Sequence, residues 1–554
     1  MYAIAVGWSG GFTLHVGALR VRSHSWIRPA ALALGGAAAL VYFARAHVTE
    51  LVTRSARALE SVHAAVTLAA AAAVWAFVAG IAFGTFAIGG ADSYGYVSQA
   101  RLFAEGRLTD TVPVSPDYTW PDVLATFTPL GFTTGPAPGV IAPKYPPGLA
   151  LLMAPLAAIS EHAVYFLVPC LGALLVWTTF RLGSALGNPL AGALAAALLS
   201  ISPTFLYQVV QPMSDVPAAA FWLVALLVAS RGGMWAAAVA GVISSIAVLI
   251  RPNLTPLAAV VLVAVAFARN EGVRARVRRV IVFAAAMTPA IAVLAWIQAV
   301  RYGSPIASGY GSLSDAFSIA YIAENVVRYP RWVTETHTWF IWLSLAAPLW
   351  IARRSTRPLL GYAALALAAE VWALYLPYLY FHPEEWFYTR FLLPAIAIML
   401  LFAAAVALWL LRPLPVVARV AALFLLTSVL LVHGVQSART HGAFDIRTQE
   451  RKYPLAGAFV RDHLPPRAIV LAAQHSGSIR YYAQRPTFRW DLLSPARLDQ
   501  ALATFRAQGY EPFLVVDGGE YEEFEKRFDA ANQQAARRPK LLAITGDARI
   551  YAFP

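Results

Sequence analysis

Residues 64–88, AAVTLAAAAAVWAFVAGIAFGTFAI, carry no charged side chain and are followed at 91–108 by ADSYGYVSQARLFAEGRL. The first stretch exceeds the roughly 20 apolar residues that cross about 30 Å of hydrocarbon. It predicts a membrane-spanning helix that ends near residue 88. In the second stretch Tyr96, Val97, Ala100, Phe103 and Ala104 recur at helical spacing, opposite Ser98, Gln99, Arg101 and Glu105. That pattern predicts a helix lying flat at the membrane surface. Asp92 then stands at the water–lipid boundary, beside the place where a lipid phosphate would rest.

Working outward, the apolar pattern recurs along most of the chain. Of its 554 residues 59% are hydrophobic and 13% charged, against about 25% charge in ordinary soluble proteins. One water-soluble core cannot hide that surplus. Breakers and charges divide it into runs near 28–44, 64–88, 162–182, 190–207, 213–230, 234–250, 253–268, 279–299, 337–352, 358–380, 390–411 and 416–436. The expected fold class is mainly α: a polytopic transmembrane helical bundle of about 11–13 spans, a first periplasmic loop at 89–161 carrying surface helices, and a small C-terminal soluble α/β domain.

The net charge of +14 does not point to nucleic acid, because the arginines sit in short turns between apolar runs. Arg45, Arg54 and Arg57, then Arg181, Arg231, the cluster from Arg269 to Arg279, Arg353, Arg354 and Arg357, and Arg412 all fall on one side. Positive-inside bias makes that side cytoplasmic. The other face receives loop 89–161, the turns around Gln211 and Arg251, loop 301–336, the HPEEWF turn at 382–387 and everything after about 437. The expected setting is a bacterial inner (cytoplasmic) membrane with a periplasmic C-terminal domain. Arg20, Arg22 and Arg28 run against this alternation, so 1–61 reads as an N-terminal extension with room for one extra span. Residues 1–19 make a poor signal peptide. The domains expected after it are 62–436 in the membrane and 437–554 outside.

After 437 apolar runs shrink to strand length, as in AIVLAA (468–473) and FLVVDG (513–518), with helical stretches near 453–464, 495–508 and 520–535. No GxGxxG or P-loop pattern implies a nucleotide there. Cys170 is alone, so no intrachain disulfide forms.

Several residues on the outer face have the chemistry of a site. Asp92 reads either as a cap of its helix or as a general base, since a carboxylate near low-dielectric surroundings gains proton affinity. Lys144, in APKYPPGLALLMAPLA, precedes a proline-fixed turn and a stretch that predicts a second surface helix. Its ammonium suits a departing phosphate, or it snorkels to solvent. Asp215 in QPMSDVP, Arg251 in LIRPN and Arg390 after Glu384 and Glu385 stand at span ends, where ionisable groups are costly and call for a functional or paired role; the plainer reading is an Asp–Arg bridge or a helix cap. Together five separate segments bring two carboxylates and three cations to one face, with Tyr96, Tyr145 and Glu385 beside them as supporting residues. HExxH, GxSxG, CxxC and Asp-x-Asp are absent from the outer loops. No motif implies a cofactor or a metal site; a divalent ion bound by scattered acids such as Glu384 or Glu385 stays open.

These features resemble the GT-C superfamily of polytopic glycosyltransferases, in particular the bacterial branch of protein O-mannosyltransferase-like and lipid A aminoarabinose transferase-like enzymes. The resemblance covers about residues 62–436. It rests on GADSYGYVSQARLFAEG after a span, KYPPG in the first outer loop, QPMSDVPAAAFWLVALL and LIRPN. It implies a polyprenyl-phosphate sugar donor, a lipid, glycan or protein acceptor, and contact with membrane lipids. By position Asp92 matches the family's catalytic aspartate and Lys144 its basic residue near the donor phosphate, with Arg251 and Arg390 as further phosphate partners. Many members carry an acidic pair in the first loop; here Asp110, Asp117 and Asp122 fall in no clear register with Asp92. The alternatives are a transporter or lipid flippase, a surface-polysaccharide polymerase or ligase, and a non-catalytic scaffold. Gathering of charge at one surface, without paired internal repeats, disfavours the transporter.

Overall fold

The computed structural model describes residues 12–16, 19–23, 45–379, 386–528 and 539–554. The expected 28–44 run, Glu384 and Glu385 lie outside the described residues. The described residues up to Ala64, with Leu411–Phe424, form one compact unit, and Ala65–Leu410 with the described residues from Leu425 onward form a second. In the first, strands Phe12–Val16 and Leu19–Ser23 pair antiparallel. Arg419 there grips Glu60 through Nε and Nη2, at 2.5 and 2.7 Å.

Among the described residues, six helices are long and apolar enough to cross a membrane: Val62–Ala82, Ala163–Ala185, Val273–Tyr302, Pro358–Tyr375, Trp386–Leu411 and Val416–Thr440. Pro189–Ser200 and Pro203–Val209 add a seventh if read as one span bent by 62°. The bend has a local cause. Pro203 has no N–H to continue the first helix, and Ser202 restarts the second by accepting the Phe205 N–H. The runs at 213–230, 234–250 and 253–268 form the shorter apolar helices Asp215–Ala229, Met234–Ile250 and Leu257–Phe267. The run at 337–352 is a 3-10 stretch, Trp339–Ala346, continuing into helix Ala347–Arg354. The protein is a multi-pass membrane protein.

The Leu393–Leu411 helix is apolar on every side, and each residue from Leu393 to Ala407 is buried. A helix of that composition belongs at the centre of a bundle rather than at its rim. Small residues let its neighbours approach closely: a Cβ on Gly183 would stand 2.4 Å from the Gly192 Cα.

The loop between the first two crossings of this unit holds helix Asp92–Ala104, helix Pro147–Ile159 packed against it, and a three-stranded antiparallel sheet with Val140–Pro143 between Asp110–Thr111 and Phe132–Thr134. The expected surface helix forms at Asp92–Ala104, with one residue of its polar side placed differently. Of the residues expected on the solvated side, Gln99 is buried and its Nε2 donates to the Tyr145 carbonyl at 3.2 Å, whereas Arg101 and Glu105 are exposed. Tyr145 meets Gln99 in place of water, and helix Ser476–Ala483 of the C-terminal segment also packs on the Asp92–Ala104 helix.

The C-terminal segment is a five-stranded sheet in the order Thr487–Phe488, Ala468–Leu471, Glu511–Asp517, Ala548–Ala552, Lys540–Thr545. The first three strands run parallel and the last two are antiparallel. Alternate residues face opposite layers: Val470, Val515 and Ile550 meet Ala456, Val460 and Ile479, whereas Leu471, Leu514 and Val516 join the cluster with Phe505 and Phe524. Helices on both faces explain why AIVL and FLVV are continuous apolar runs. The segment docks on the loop through Trp120 and Phe127, whose rings lie 5.7 and 5.4 Å from Phe488.

Candidate active site

Gly90 turns the chain with φ +56° just before the Asp92–Ala104 helix. The N-cap is Ala91, which makes no side-chain cap bond, and Asp92 is the first helical residue. Its carboxylate is therefore not consumed in capping, and it sits at the helix end whose dipole favours negative charge. Tyr145 Oη donates to Asp92 Oδ1, and Arg390 Nη1 donates to Asp92 Oδ2 at 3.1 Å. Burial, and next the Asp92 charge, push the Tyr145 phenol well above its usual range, so it remains a donor.

The DSYGY spacing acquires a reason here. A Cβ on Gly95 would stand 2.2 Å from the Tyr145 ring, so only glycine lets that ring slide under the helix. The Tyr96 ring lies tilted against it, with centres 4.8 Å apart. Lys144, immediately before, is half-buried; burial lowers its ammonium, with Asp92 acting to raise it. The Lys144 Nζ lies 5.2 Å from the Tyr310 ring centre, and no carboxylate among the described residues forms a salt bridge with it.

A second ion pair stands nearby. Arg251 Nη2 is 2.7 Å from Asp215 Oδ1, with the two side chains 12% and 1% exposed. It is a pair by distance, although that oxygen makes no well-angled hydrogen bond. Arg251 also donates to Ser214 Oγ and to Tyr375 Oη, each at 3.1 Å. The guanidinium groups of Arg251 and Arg390 lie 4.9 and 5.0 Å from the Phe391 ring centre. The bridge envisaged for Asp215 is thus formed, and the helix it opens carries no side-chain cap.

All these groups line one cavity of about 1090 Å³. Asp92, Tyr96, Lys144, Tyr145, Asp215, Arg251 and Arg390 converge there from five segments. Glu385 lies outside the described residues. Among the described residues, no three His, Cys, Asp or Glu side chains are grouped to hold a metal ion.

No sequence-family profile matches the chain, and no curated protein sequence does. Structures answer differently. The fold overlays on ArnT from Cupriavidus metallidurans in the apo state with a TM-score of 0.53 at 14% identity, covering 88% of this chain and 97% of that one. ArnT bound to undecaprenyl phosphate overlays at 0.51, with 14% identity and the same coverage. The Archaeoglobus fulgidus oligosaccharyltransferase overlays at 0.52, with 14% identity over 85% of this chain and 72% of that one.

The chain has the GT-C fold.

Within this GT-C fold the cavity also holds residues that sequence reasoning passed over. Arg301 is fully buried at the end of the Val273–Tyr302 helix; its Nε donates to the Leu108 carbonyl at 3.0 Å. Asn253 donates to Tyr375 Oη at 2.8 Å. Tyr302 Oη donates to the Pro143 carbonyl at 2.6 Å, bracing the turn that carries Lys144. Arg301 and Tyr302 sit at a span end among many such residues, and nothing in their own neighbourhood marks them. Only LIRPN offered a signal for Asn253.

Proposed function

We propose that the protein transfers a sugar from a polyprenyl-phosphate donor to a hydroxyl of a lipid, glycan or protein acceptor at the periplasmic face of a bacterial inner membrane. The arginine-rich turns support that orientation. The acceptor oxygen attacks the anomeric carbon, the bond from that carbon to the phosphate oxygen breaks, and polyprenyl phosphate leaves with the electron pair. The sugar inverts in this single displacement. Asp92, which lines the cavity and is oriented by Tyr145 on one carboxylate oxygen and Arg390 on the other, takes the acceptor proton.

The observation that carries the reading is a carboxylate and a carboxylate-free ammonium, Asp92 and Lys144, lining one cavity. Lys144 has no competing ion pair among the described residues and is suited to the departing phosphate. Arg390 contributes as well: its buried Nε has no hydrogen-bond partner among the described residues, while its Nη1 reaches the base. Arg251 adds charge from beside Asp215. Among the neighbours, ArnT was solved with undecaprenyl phosphate and the archaeal oligosaccharyltransferase AglB with an inhibitory peptide and a dolichol-phosphate.

The test is to incubate the purified protein with a panel of polyprenyl-phosphate sugars and candidate acceptors, and to follow released polyprenyl phosphate by mass spectrometry. Release that depends on acceptor and disappears in Asp92→Asn supports the reading. Movement of fluorescent lipid across vesicles without sugar transfer would replace it with a transporter.

A further inference from the structure

The Asp92–Ala104 helix has a second working face. Ser98 and Arg101 line a separate cavity of about 610 Å³, closed on its other side by Arg467, Arg480, Tyr481 and Arg485 of the C-terminal segment. Five arginines line it, Arg107 being the fifth, against two carboxylates, Glu105 and Asp110. Both carboxylates are already engaged. Glu105 pairs with Arg101 and Arg107, and Asp110 with Arg107 and Arg480, at 3.2 and 2.8 Å.

Arg467 and Arg485 are different. Arg467 Nη2 donates to the Gln508 carbonyl at 2.6 Å, and Arg485 donates to the carbonyls of Pro465 and Ala483, each at 3.3 Å. These bonds orient the two guanidinium groups without neutralising them. Each cavity wall also carries an arginine over a tyrosine: Arg101 is 5.4 Å from the Tyr481 ring centre and Arg467 is 5.3 Å from that of Tyr510. A concave, cationic, aromatic-lined surface concentrates anions. Oriented guanidinium forks match carboxylate or phosphate oxygens, and the Tyr481 and Tyr510 rings that line the groove offer apolar surface to a sugar ring.

We infer that this groove binds an anionic glycan, the portion of the acceptor that lies behind its reacting hydroxyl. The word acceptor rests on the proposed glycosyl transfer; the anionic-glycan site does not. Because one helix carries Asp92 at its start and the groove on its flank, a long acceptor held in the groove is tethered close to the base. Selection for negatively charged acceptors follows from the charge of Arg467 and Arg485, which form no ion pair among the described residues.

The experiment is calorimetric titration of the full-length protein in neutral detergent with a short oligogalacturonate and with a maltooligosaccharide of equal length. Oligogalacturonate is expected to bind and the neutral chain to bind at least about tenfold more weakly, a difference that fades at roughly 0.5 M salt. The double variant Arg467→Ala, Arg485→Ala is expected to lose at least about tenfold in affinity for the acidic chain. Arg467→Lys with Arg485→Lys, which keeps the charge, retains part of it and guards against misfolding. Asp92→Asn binds as the unaltered protein does, so loss of transfer with retained binding would sink only the enzymatic reading. Equal binding of both glycans, or indifference to the alanine pair, would overturn the groove's assignment. So would capture of anionic phospholipid vesicles, in place of oligogalacturonate, through the same arginines.

Discussion

Arg390 donates from Nη1 to the Asp92 carboxylate at 3.1 Å, joining the first residue of one helix to the 3-10 stretch Trp386–Leu392 that leads into another, 298 residues away in sequence. The pair is only partly buried, with the arginine 16% and the aspartate 32% exposed. The arrangement leaves the carboxylate reachable from the cavity while fixing its direction. Its proposed role as a base depends on that compromise.

Asp92→Asn keeps the shape of the side chain and removes the proton acceptor. Transfer should fall about a hundredfold to ten-thousandfold, with expression and membrane insertion unchanged. Arg390→Gln should cost about 2.7–4 kcal/mol of transition-state stabilisation. The measure is the rate of polyprenyl phosphate release at saturating donor, and near-normal turnover in Asp92→Asn would remove the base assignment.

Burial lowers the Lys144 ammonium below the ordinary lysine range. Its charge is therefore lost at a lower pH than in an exposed lysine, and phosphate stabilisation is lost with it. Turnover should decline on the alkaline side as pH rises through that lowered value. Lys144→Arg, which stays charged, should carry its activity to higher pH even if its rate is lower. A pH–rate profile whose alkaline limb is identical in the two proteins would exclude Lys144 as the titrating group.

Gly95→Ala places a methyl 2.2 Å from the Tyr145 ring. Overpacking of this kind typically costs about 1–3 kcal/mol, and here it displaces the hydrogen-bond donor to Asp92. Activity should drop far more than the melting temperature does. Retention of full activity would show that the Tyr145 position is immaterial.

Burial pushes the Glu450 carboxyl up to about 7, with Asp517 also raising it and Lys452 opposing. A raised value in the fold means that the protonated form is favoured there. Its stabilising contribution is complete below about pH 4.5 and is lost as pH rises through about 7. The full shift corresponds to on the order of 3 kcal/mol. Melting temperature in detergent should fall across that window, and Glu450→Gln should flatten the dependence. An identical fall in both proteins would point to another group.

Much of the architecture was readable before any coordinates. Uncharged runs such as 64–88 must leave water, so their length and breaks mark the crossings. AIVL and FLVV read as buried strands because helices cover both faces of their sheet. The Asp92 segment also announced a helix. Its Gln99 was misplaced toward solvent, since helical periodicity reports amphipathicity but not whether water or another part of the chain meets the polar side.

What the sequence determined by itself is the inventory: apolar spans whose burial is set by local composition, and a scatter of ionisable residues at their ends. Tertiary structure decided the pairings. That Asp92 meets Arg390, that Asp215 meets Arg251, that Lys144 keeps its charge free and that Arg301 reaches the same cavity all depend on how helices stack. Hydrophobic burial is non-directional and readable along the chain, whereas a hydrogen bond or ion pair forms only at a distance of a few ångströms that the packing of remote segments sets.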